Sequence, residues 1–200
     1  MAFLSAVFAR ASTRRAPWGR RTVAWLTFTA LVMAGPGLAA QAARASEYQV
    51  KAVFLFNFAQ FVDWPATAFP DSASSFVICI LGEDPFGGFL DQTVRDEHVG
   101  GRALAIRRYR SVSEIETCHI LFISRSPAER PEDILTGLKH RPILTVSDAD
   151  RFAERGGMIR FVSDRNRIRL QINRSAAEAA HLTISSNLLR LAEIVTPQRP

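Results

Sequence analysis

The sequence predicts a single Rossmann-like α/β domain, with a mostly parallel sheet flanked by helices and an antiparallel β-hairpin at one edge near the carboxyl terminus. Two observations lead to this prediction. A continuous apolar run occupies 76–81, as in strands buried on both faces, and 119–124 and 142–146 are further segments of strand length, the first of the same buried type. Stretches with helical periodicity or helix-capping residues separate the runs, and strands that alternate with helices build parallel sheets.

Residues 1–45 are predicted to be a cleaved signal peptide. Five arginines within residues 10–21 precede an apolar run at 23–34, which is shorter than the about 20 residues that span a bilayer. A zone of small residues follows, and we place cleavage between Ala40 and Ala45, where two triplets fit the small-x-small rule. The exported domain is then 46–200, and an uncleaved N-terminal anchor is the alternative.

The charge of the chain is concentrated in this leader. Six of the 25 Lys and Arg residues lie in 1–45, whereas none of the 19 Asp and Glu residues does. The exported domain therefore carries equal numbers of basic and acidic residues. A nucleic-acid-binding protein needs a basic surface on its folded part, and the composition argues against that class of partner.

The first helix of the exported domain is predicted from Ser46 to a stop at Asp63-Trp64-Pro65. Ser46 and Gln49 have the spacing of a capping box, and a residue before proline avoids helical dihedral angles. One wide face of this helix is apolar and is predicted to be buried. Its members are Val50, Phe54, Leu55, Phe58, Ala59, Phe61 and Val62.

Val53 and Phe56 interrupt the polar side of the same helix. One interpretation is a helix that is covered on nearly all sides. The other is an exposed apolar spot that binds a partner protein, and this makes Val53 and Phe56 the candidate partner contacts.

The remaining elements follow in order along the chain. Strands are predicted at 76–81, 104–109, 119–124, 142–146, 158–162 and 168–172, the last two as the hairpin, with a turn at 164–166. Helices are predicted at 85–94, 111–117, 131–140, 149–155, 175–182 and 185–194. Asp84 is the expected N-cap of the helix at 85–94. Asp148 and Asp150 are expected to be capping residues of the helix at 149–155, after the fourth strand.

The sequence contains no set of residues that predicts catalysis, a metal site or a cofactor. Residues 82–87 have the G-x-x-x-x-G spacing of a phosphate loop, but Gly88-Phe89 stands where that motif requires Lys and Ser or Thr. The four histidines have no metal-ligand spacing, and neighbouring Cys118 and His119 on a strand would point to opposite faces. We therefore predict that the protein is not an enzyme.

Two cysteines, Cys79 and Cys118, remain after the leader. Export to an oxidising compartment favours a disulfide between them, which becomes possible if their two strands are neighbours. Two buried free thiols are the alternative, and a redox-sensing bond is a further one.

The exported domain resembles the YfiR family, which is also catalogued as a domain of unknown function. The resemblance runs from about Glu47 to Val195 and keeps the same order and spacing throughout. The segments that carry it are EYQVKAVFLFNFAQFVDWP at 47–65, FVICILGEDPFG at 76–87, CHILFIS at 118–124, ILTVSD at 143–148, FAERGGMI at 152–159, RIRLQIN at 167–173 and LTISSNLLRLAEIV at 182–195.

This resemblance implies a periplasmic regulator. Proteins of this kind bind the periplasmic sensor domain of an inner-membrane diguanylate cyclase and restrain it, which lowers cyclic di-GMP and biofilm formation. An outer-membrane lipoprotein with a peptidoglycan-binding domain can sequester the regulator. The resemblance also implies a homodimer and a small aromatic ligand, neither of which it places on residues here. Some relatives have a second cysteine pair near 152–159, and this chain has none there.

Two other functions stay open at this point. One is a periplasmic small-molecule-binding accessory protein of another envelope sensor, such as a histidine kinase. The other is a periplasmic enzyme that uses a cleft in the sheet.

Overall fold

The computed structural model describes residues 36–125, 130–165 and 167–196. The chain divides into two compact units, residues 1–41 and residues 42–200. Of the first unit only 36–41 are described, and they are helical. Most of the predicted signal peptide, residues 1–35, therefore lies outside the described residues. Among the described helices, none combines the length and the apolar character needed to cross a membrane.

The second unit alternates helices and strands along the chain. The helices are α1 (Pro36–Phe61), α2 (Gly88–Val94), α3 (Pro131–Gly137), α4 (Arg174–Ala179) and α5 (Ser186–Leu189). The strands are β1 (Val62–Asp63), β2 (Phe76–Leu81), β3 (His98–Val99), β4 (Arg102–Tyr109), β5 (Ile120–Ile123), β6 (Leu144–Ser147), β7 (Ile159–Asp164), β8 (Arg167–Ile172), β9 (Thr183–Ile184) and β10 (Ala192–Ile194).

Eight of the described strands form one sheet in the order β10-β8-β7-β6-β5-β2-β4-β3. The strands from β4 to β7 are parallel to one another, whereas β7 and β8 form an antiparallel hairpin. The predicted α/β fold, its mostly parallel sheet and its hairpin are thus confirmed. The chain passes from β2 to β4 on one side and then returns to β5 on the other, so the direction of winding reverses between β2 and β5.

Both faces of the sheet are buried, as the continuous apolar runs predict. Even-numbered side chains of β2 and β5, such as Ile78 and Phe122, pack against α1, α2 and α4. Odd-numbered side chains, such as Cys79 and Leu121, pack against α3 and the segment around Phe152. Successive side chains of a strand point to opposite faces, so these central strands need apolar residues at every position.

Helix α1 differs from its prediction in its start and in its buried face. As described, it begins at Pro36 rather than Ser46, because the alanine-rich stretch before Ser46 favours a helix. Val50 and Phe61, predicted to be buried, are 45% and 39% exposed. Lys51 is instead completely buried. The buried face is therefore rotated relative to the one that hydrophobicity alone predicts.

Two predicted helices near the carboxyl terminus are wrong in part or in whole. No regular helix forms at 149–155, where the chain makes turns, because Arg151 has a left-handed φ of 58° that a helix does not allow. The Asp148 carboxylate, predicted to cap this helix, pairs with Lys51 instead. The predicted helix at 185–194 is only the short α5, after which β10 pairs in parallel with β8. Main-chain pairing with an existing strand edge outweighs the local helical pattern there.

The predicted helix at 85–94 begins later, at Gly88. Asp84 accepts hydrogen bonds from the backbone N–H groups of Phe86 (2.7 Å) and Gly87 (3.3 Å), so it stabilises a turn. Gly87 then has φ of 54°, a left-handed conformation that stops the helix from extending towards Asp84. The predicted helix at 111–117 is only a 3₁₀ turn at Val112–Glu114.

Candidate functional site

The two candidate partner contacts occupy different environments on α1. Val53 is 42% exposed, whereas Phe56 is half-buried and packs against the core. Val50 and Phe61 are also exposed and lie on the helix at positions that follow helical spacing from Val53. We call Val50, Val53 and Phe61 the outer stripe of α1. Of these three residues, only Val53 is a candidate contact predicted from the sequence, whereas the apolar pattern predicts that Val50 and Phe61 are buried.

Cys79 and Cys118 form a disulfide with a Cα–Cα distance of 6.0 Å. The strand of Cys79, β2, is paired with β5, which begins two residues after Cys118. The bond therefore links the central strand to the segment that leads into its neighbour. Cys79 is fully buried and Cys118 nearly so, which shields the bond from solvent.

The most heavily charged buried site lies at the carboxyl ends of β5 and β6. Lys51 Nζ lies 2.5 Å from Asp148 Oδ2, and neither side chain is appreciably exposed. Tyr48 donates a hydrogen bond to the same Asp148 oxygen at 2.8 Å, and Arg125 Nε donates to the other oxygen at 3.0 Å. Lys51 also pairs with Glu47, one turn earlier on α1, at 2.6 Å. We call these five residues the charged anchor.

Electrostatics keeps the carboxylates of the charged anchor ionised. Burial raises the pKa of Asp148, but the hydrogen bond and charge of Lys51 outweigh it, so the pKa is below its usual range. For Glu47 burial is likewise outweighed by Lys51 and by a hydrogen bond from Ser163, and its pKa is lowered too. The pKa of Tyr48 is raised, first by burial and then by its bond to Asp148, so Tyr48 stays protonated.

The charged anchor has a structural role. It connects the segment of α1 around Lys51 to the end of β6 through the buried ion pair of Lys51 and Asp148. The Lys51 ammonium and both carboxylate oxygens of Asp148 have partners. The lowered pKa values of Asp148 and Glu47 keep both groups ionised at neutral pH, and the raised pKa of Tyr48 keeps it protonated, so these three groups are poor candidates for proton exchange. The sequence does not predict this site, and its one local signal is a lysine inside an apolar helix.

A cleft of about 560 Å³ opens at the end of the sheet opposite to the charged anchor. It lies beside the amino end of β2 and the hairpin of β3 and β4. Trp64, Phe69 and Phe76 supply its aromatic walls, and Arg102 and His98 are among its polar residues. We call it the aromatic cleft. Its volume is in the range of small-molecule sites.

His119 supports the aromatic cleft from behind. Its ring stacks against both Phe69 and Phe76, with centroid distances of 4.5 and 4.8 Å. Nδ1 accepts a hydrogen bond from the Val77 N–H at 3.0 Å, so the ring proton is on Nε2, which donates to the Ala68 carbonyl at 3.2 Å. Burial lowers the pKa of His119, which keeps it neutral in this arrangement.

Arg102 holds the loop that forms one wall of the aromatic cleft. Its Nη1 donates to the carbonyl oxygens of Asp71 (2.7 Å) and Ser74 (2.8 Å). Its guanidinium carbon lies 4.1 Å from the centre of the Phe69 ring, in cation–π contact. Both of these bonds use the Nη1 atom. Arg102 therefore holds the loop in place and also presents positive charge to the cleft.

In the loop with phosphate-loop spacing, Asp84 is paired with Arg108, which also binds Asp91 of α2. Arg108 donates to Asp84 at 2.7 Å and to Asp91 at 2.6 Å. The hydrogen bond from Arg108 is the main cause of the lowered pKa of Asp91. Elsewhere in the described ranges, no three His, Cys, Asp or Glu side chains are grouped closely enough to hold a metal ion.

The comparison with protein families finds one described as YfiR/HmsC-like, whose model matches residues 48–193. The matched range contains the disulfide, Lys51 with Asp148, the aromatic cleft and the outer stripe of α1. No curated protein matches the chain.

Proposed function

The chain belongs to the YfiR/HmsC-like family, and from this premise we propose that it is a periplasmic protein that binds the periplasmic sensor domain of an inner-membrane diguanylate cyclase and holds it inactive. The family comprises periplasmic regulators of diguanylate cyclases and is regulatory rather than catalytic. Restraint of the cyclase would lower cyclic di-GMP and biofilm formation. The family match is the observation that carries this proposal.

Export to the periplasm fits the features of the chain. The residues before the domain have the composition of a signal peptide, with cleavage proposed between Ala40 and Ala45. The Cys79–Cys118 disulfide is of the kind that persists in oxidising compartments. Together these features support a domain, residues 46–200, that works outside the cytoplasm.

The outer stripe of α1 is the contact surface that we propose for the cyclase. Val53 lies one turn from Val50, and Phe61 adds an exposed apolar side chain about two turns further along the same side of the helix. Phe56, partly buried under the helix, supports the surface more than it forms it. A regulator shifts the cyclase only by binding its inactive state more tightly than its active state.

Two further partners complete the proposal. An outer-membrane peptidoglycan-binding lipoprotein would sequester the regulator and relieve the restraint, and the regulator itself would form a homodimer. Both come from the family resemblance.

A second candidate function is supported by the aromatic cleft. A periplasmic accessory protein of another envelope sensor, such as a histidine kinase, would need a small-molecule site, and this cleft has the volume and the aromatic walls for a small aromatic ligand. Calorimetry with benzoate tests this function directly. Binding that is lost in Arg102→Gln would favour it, and absence of binding would remove its support.

The contact surface is tested by binding of the purified protein to the periplasmic domain of a diguanylate cyclase encoded in the same genome. Val53→Ser should weaken binding at least about tenfold while thermal stability stays close to that of the unmodified protein. Leu191→Ser is the matched control, because Leu191 is an exposed aliphatic residue (78%) outside α1. If both variants bind as well as the unmodified protein, the outer stripe is not the contact surface. Phe56→Ser is unsuitable alone, since it would also weaken the core.

A further inference from the structure

A groove of about 540 Å³ lies between α3 and α4, beyond the amino ends of β6 and β7. Helix α3 packs on one face of the sheet and α4 on the other, so the groove lies where these two layers meet. Its volume falls within the roughly 300–1,000 Å³ of small-molecule sites. It is separate from the aromatic cleft and from the outer stripe of α1, since it shares no residue with either.

The interior of the groove is mostly aliphatic, with Thr145 as a buried polar residue of its lining. Leu138, Ile143 and Met158 form its floor, and all three are otherwise buried in the core. The α4 wall consists of alanines, including Ala176 and Ala179, whose small side chains leave the space open. Among the described residues that line the groove there is no phenyl, phenol or indole ring. This lining suits a flexible hydrocarbon better than a flat aromatic molecule.

The rim of the groove is cationic. Lys139 and Arg155 lie at this rim, beside His140 and against the single carboxylate of Glu132. Arg155 lies 3.7 Å from Glu132, whereas Lys139 makes no ion pair with any residue that the structure describes. The chain has only two lysines, and the other, Lys51, is buried in the charged anchor. Lys139 is therefore the exposed ammonium group of the domain, and it stands at the mouth of an apolar groove.

We propose that this groove binds a free medium-chain fatty acid. The hydrocarbon chain would lie on Leu138, Ile143 and Met158, and the carboxylate would remain at the rim beside Lys139. Charge complementarity selects an anionic head, and the aliphatic lining selects an unbranched chain. Fatty-acid binding goes beyond regulation of a cyclase by protein contact, because it would allow the protein to detect a small amphiphile in the envelope.

Calorimetric titration of the purified protein, as the cell processes it, with octanoate and decanoate below their micelle concentrations tests the proposal. Each methylene should tighten binding by about fourfold, the fold-change that corresponds to about 0.8 kcal/mol per buried CH₂. Decanol and decyltrimethylammonium should bind more weakly than decanoate, because they lack the anionic head. Equal binding of all three head groups, or binding only at micelle concentrations, would overturn the proposal.

Two variants locate the site. Ala179→Leu places a larger side chain in the groove and should weaken decanoate binding at least about tenfold, while Leu keeps high helix propensity. Ser175→Leu, on the same helix but outside the groove lining, is the control and should bind normally. Lys139→Gln should weaken decanoate about two- to fivefold, as expected for an exposed ion pair, and leave decanol unchanged. If Ala179→Leu is folded by circular dichroism and binds decanoate normally, the fatty acid does not occupy this groove.

Discussion

Lys51 Nζ and Asp148 Oδ2 lie 2.5 Å apart in the interior, although the two residues are 97 positions apart in the sequence. The pair joins α1 to the end of β6, and Tyr48 and Arg125 satisfy the remaining capacity of the carboxylate. A buried charge without a partner is far more costly than an exposed one. The stability of the domain should therefore depend on each member of this pair.

Lys51→Met should lower the free energy of unfolding by about 3–5 kcal/mol, because it leaves the Asp148 charge buried without its main partner. Urea unfolding at neutral pH measures the loss. The double variant Lys51→Met with Asp148→Leu should regain a large part of it, since no charge is then buried. Arg174→Gln removes an exposed ion pair with Glu178 and should leave stability almost unchanged. Equal stability of Lys51→Met and the unmodified protein would show that the pair does not hold α1.

His119 should make the domain less stable in mild acid. Its pKa is lowered in the folded protein, so below about pH 6.5 the unfolded chain binds a proton that the folded protein does not. The contribution of His119 to stability is therefore complete above that pH. As the pH falls from there to the folded-state pKa of His119, the free energy of unfolding decreases by up to about 1.4 kcal/mol per pH unit. Urea unfolding at pH 7.5 and pH 5.5 measures this difference.

His119→Gln tests the assignment of that pH dependence. The Gln amide can still accept from the Val77 N–H and donate to the Ala68 carbonyl, but it does not titrate. The variant should therefore lose most of the stability difference between pH 7.5 and pH 5.5. His98→Gln changes an exposed histidine and should retain it. A full pH difference in His119→Gln would mean that other groups cause it.

The disulfide should contribute a large share of the stability. It closes a loop with a sequence separation of 39, for which the chain-entropy model gives about 4 kcal/mol. The double variant Cys79→Ala with Cys118→Ala should lose about 2–5 kcal/mol in urea unfolding. Reductant should destabilise the unmodified protein and have no effect on the variant. If reductant also destabilises the double cysteine variant, its effect has a cause other than reduction of this disulfide.

Gly157 is required by close packing against Phe152. A Cβ at Gly157 would overlap the buried ring of Phe152. Gly157→Ala should therefore lower stability by about 1–3 kcal/mol, measured by thermal unfolding. Gly88→Ala is the control, because a Cβ there meets nothing within 4 Å and alanine favours the first turn of α2. Similar midpoints for both variants would contradict this account.

The sequence predicts the central sheet well because its strands are buried on both faces, and such strands need continuous apolar runs. β2 was predicted at its observed bounds, and β5 to within a residue at each end. The hairpin of β7 and β8 was visible through its turn at 164–166. These signals are local, so they can be identified without knowledge of the fold.

The charged anchor could not be predicted, because its meaning depends on contacts between distant residues. Asp148 follows a serine at the end of a strand, which is the local pattern of a helix cap, yet its carboxylate binds Lys51 and Arg125. Val50 and Phe61 were placed on the buried face of α1 by hydrophobicity. The ion pair of Lys51 favours burial of the face of α1 that carries Lys51, and the average hydrophobicity of the helix does not reveal this contact.

Cytoplasmic cyclic di-GMP in a strain that lacks this gene tests the central claim most directly. Deletion should raise cyclic di-GMP, and a copy with residues 1–45 should restore the lower level, whereas a copy without them should not. Exported Val53→Ser should restore it less well than exported Leu191→Ser. An unchanged level on deletion under several growth conditions, or full restoration by the copy that stays in the cytoplasm, would contradict periplasmic restraint of a cyclase.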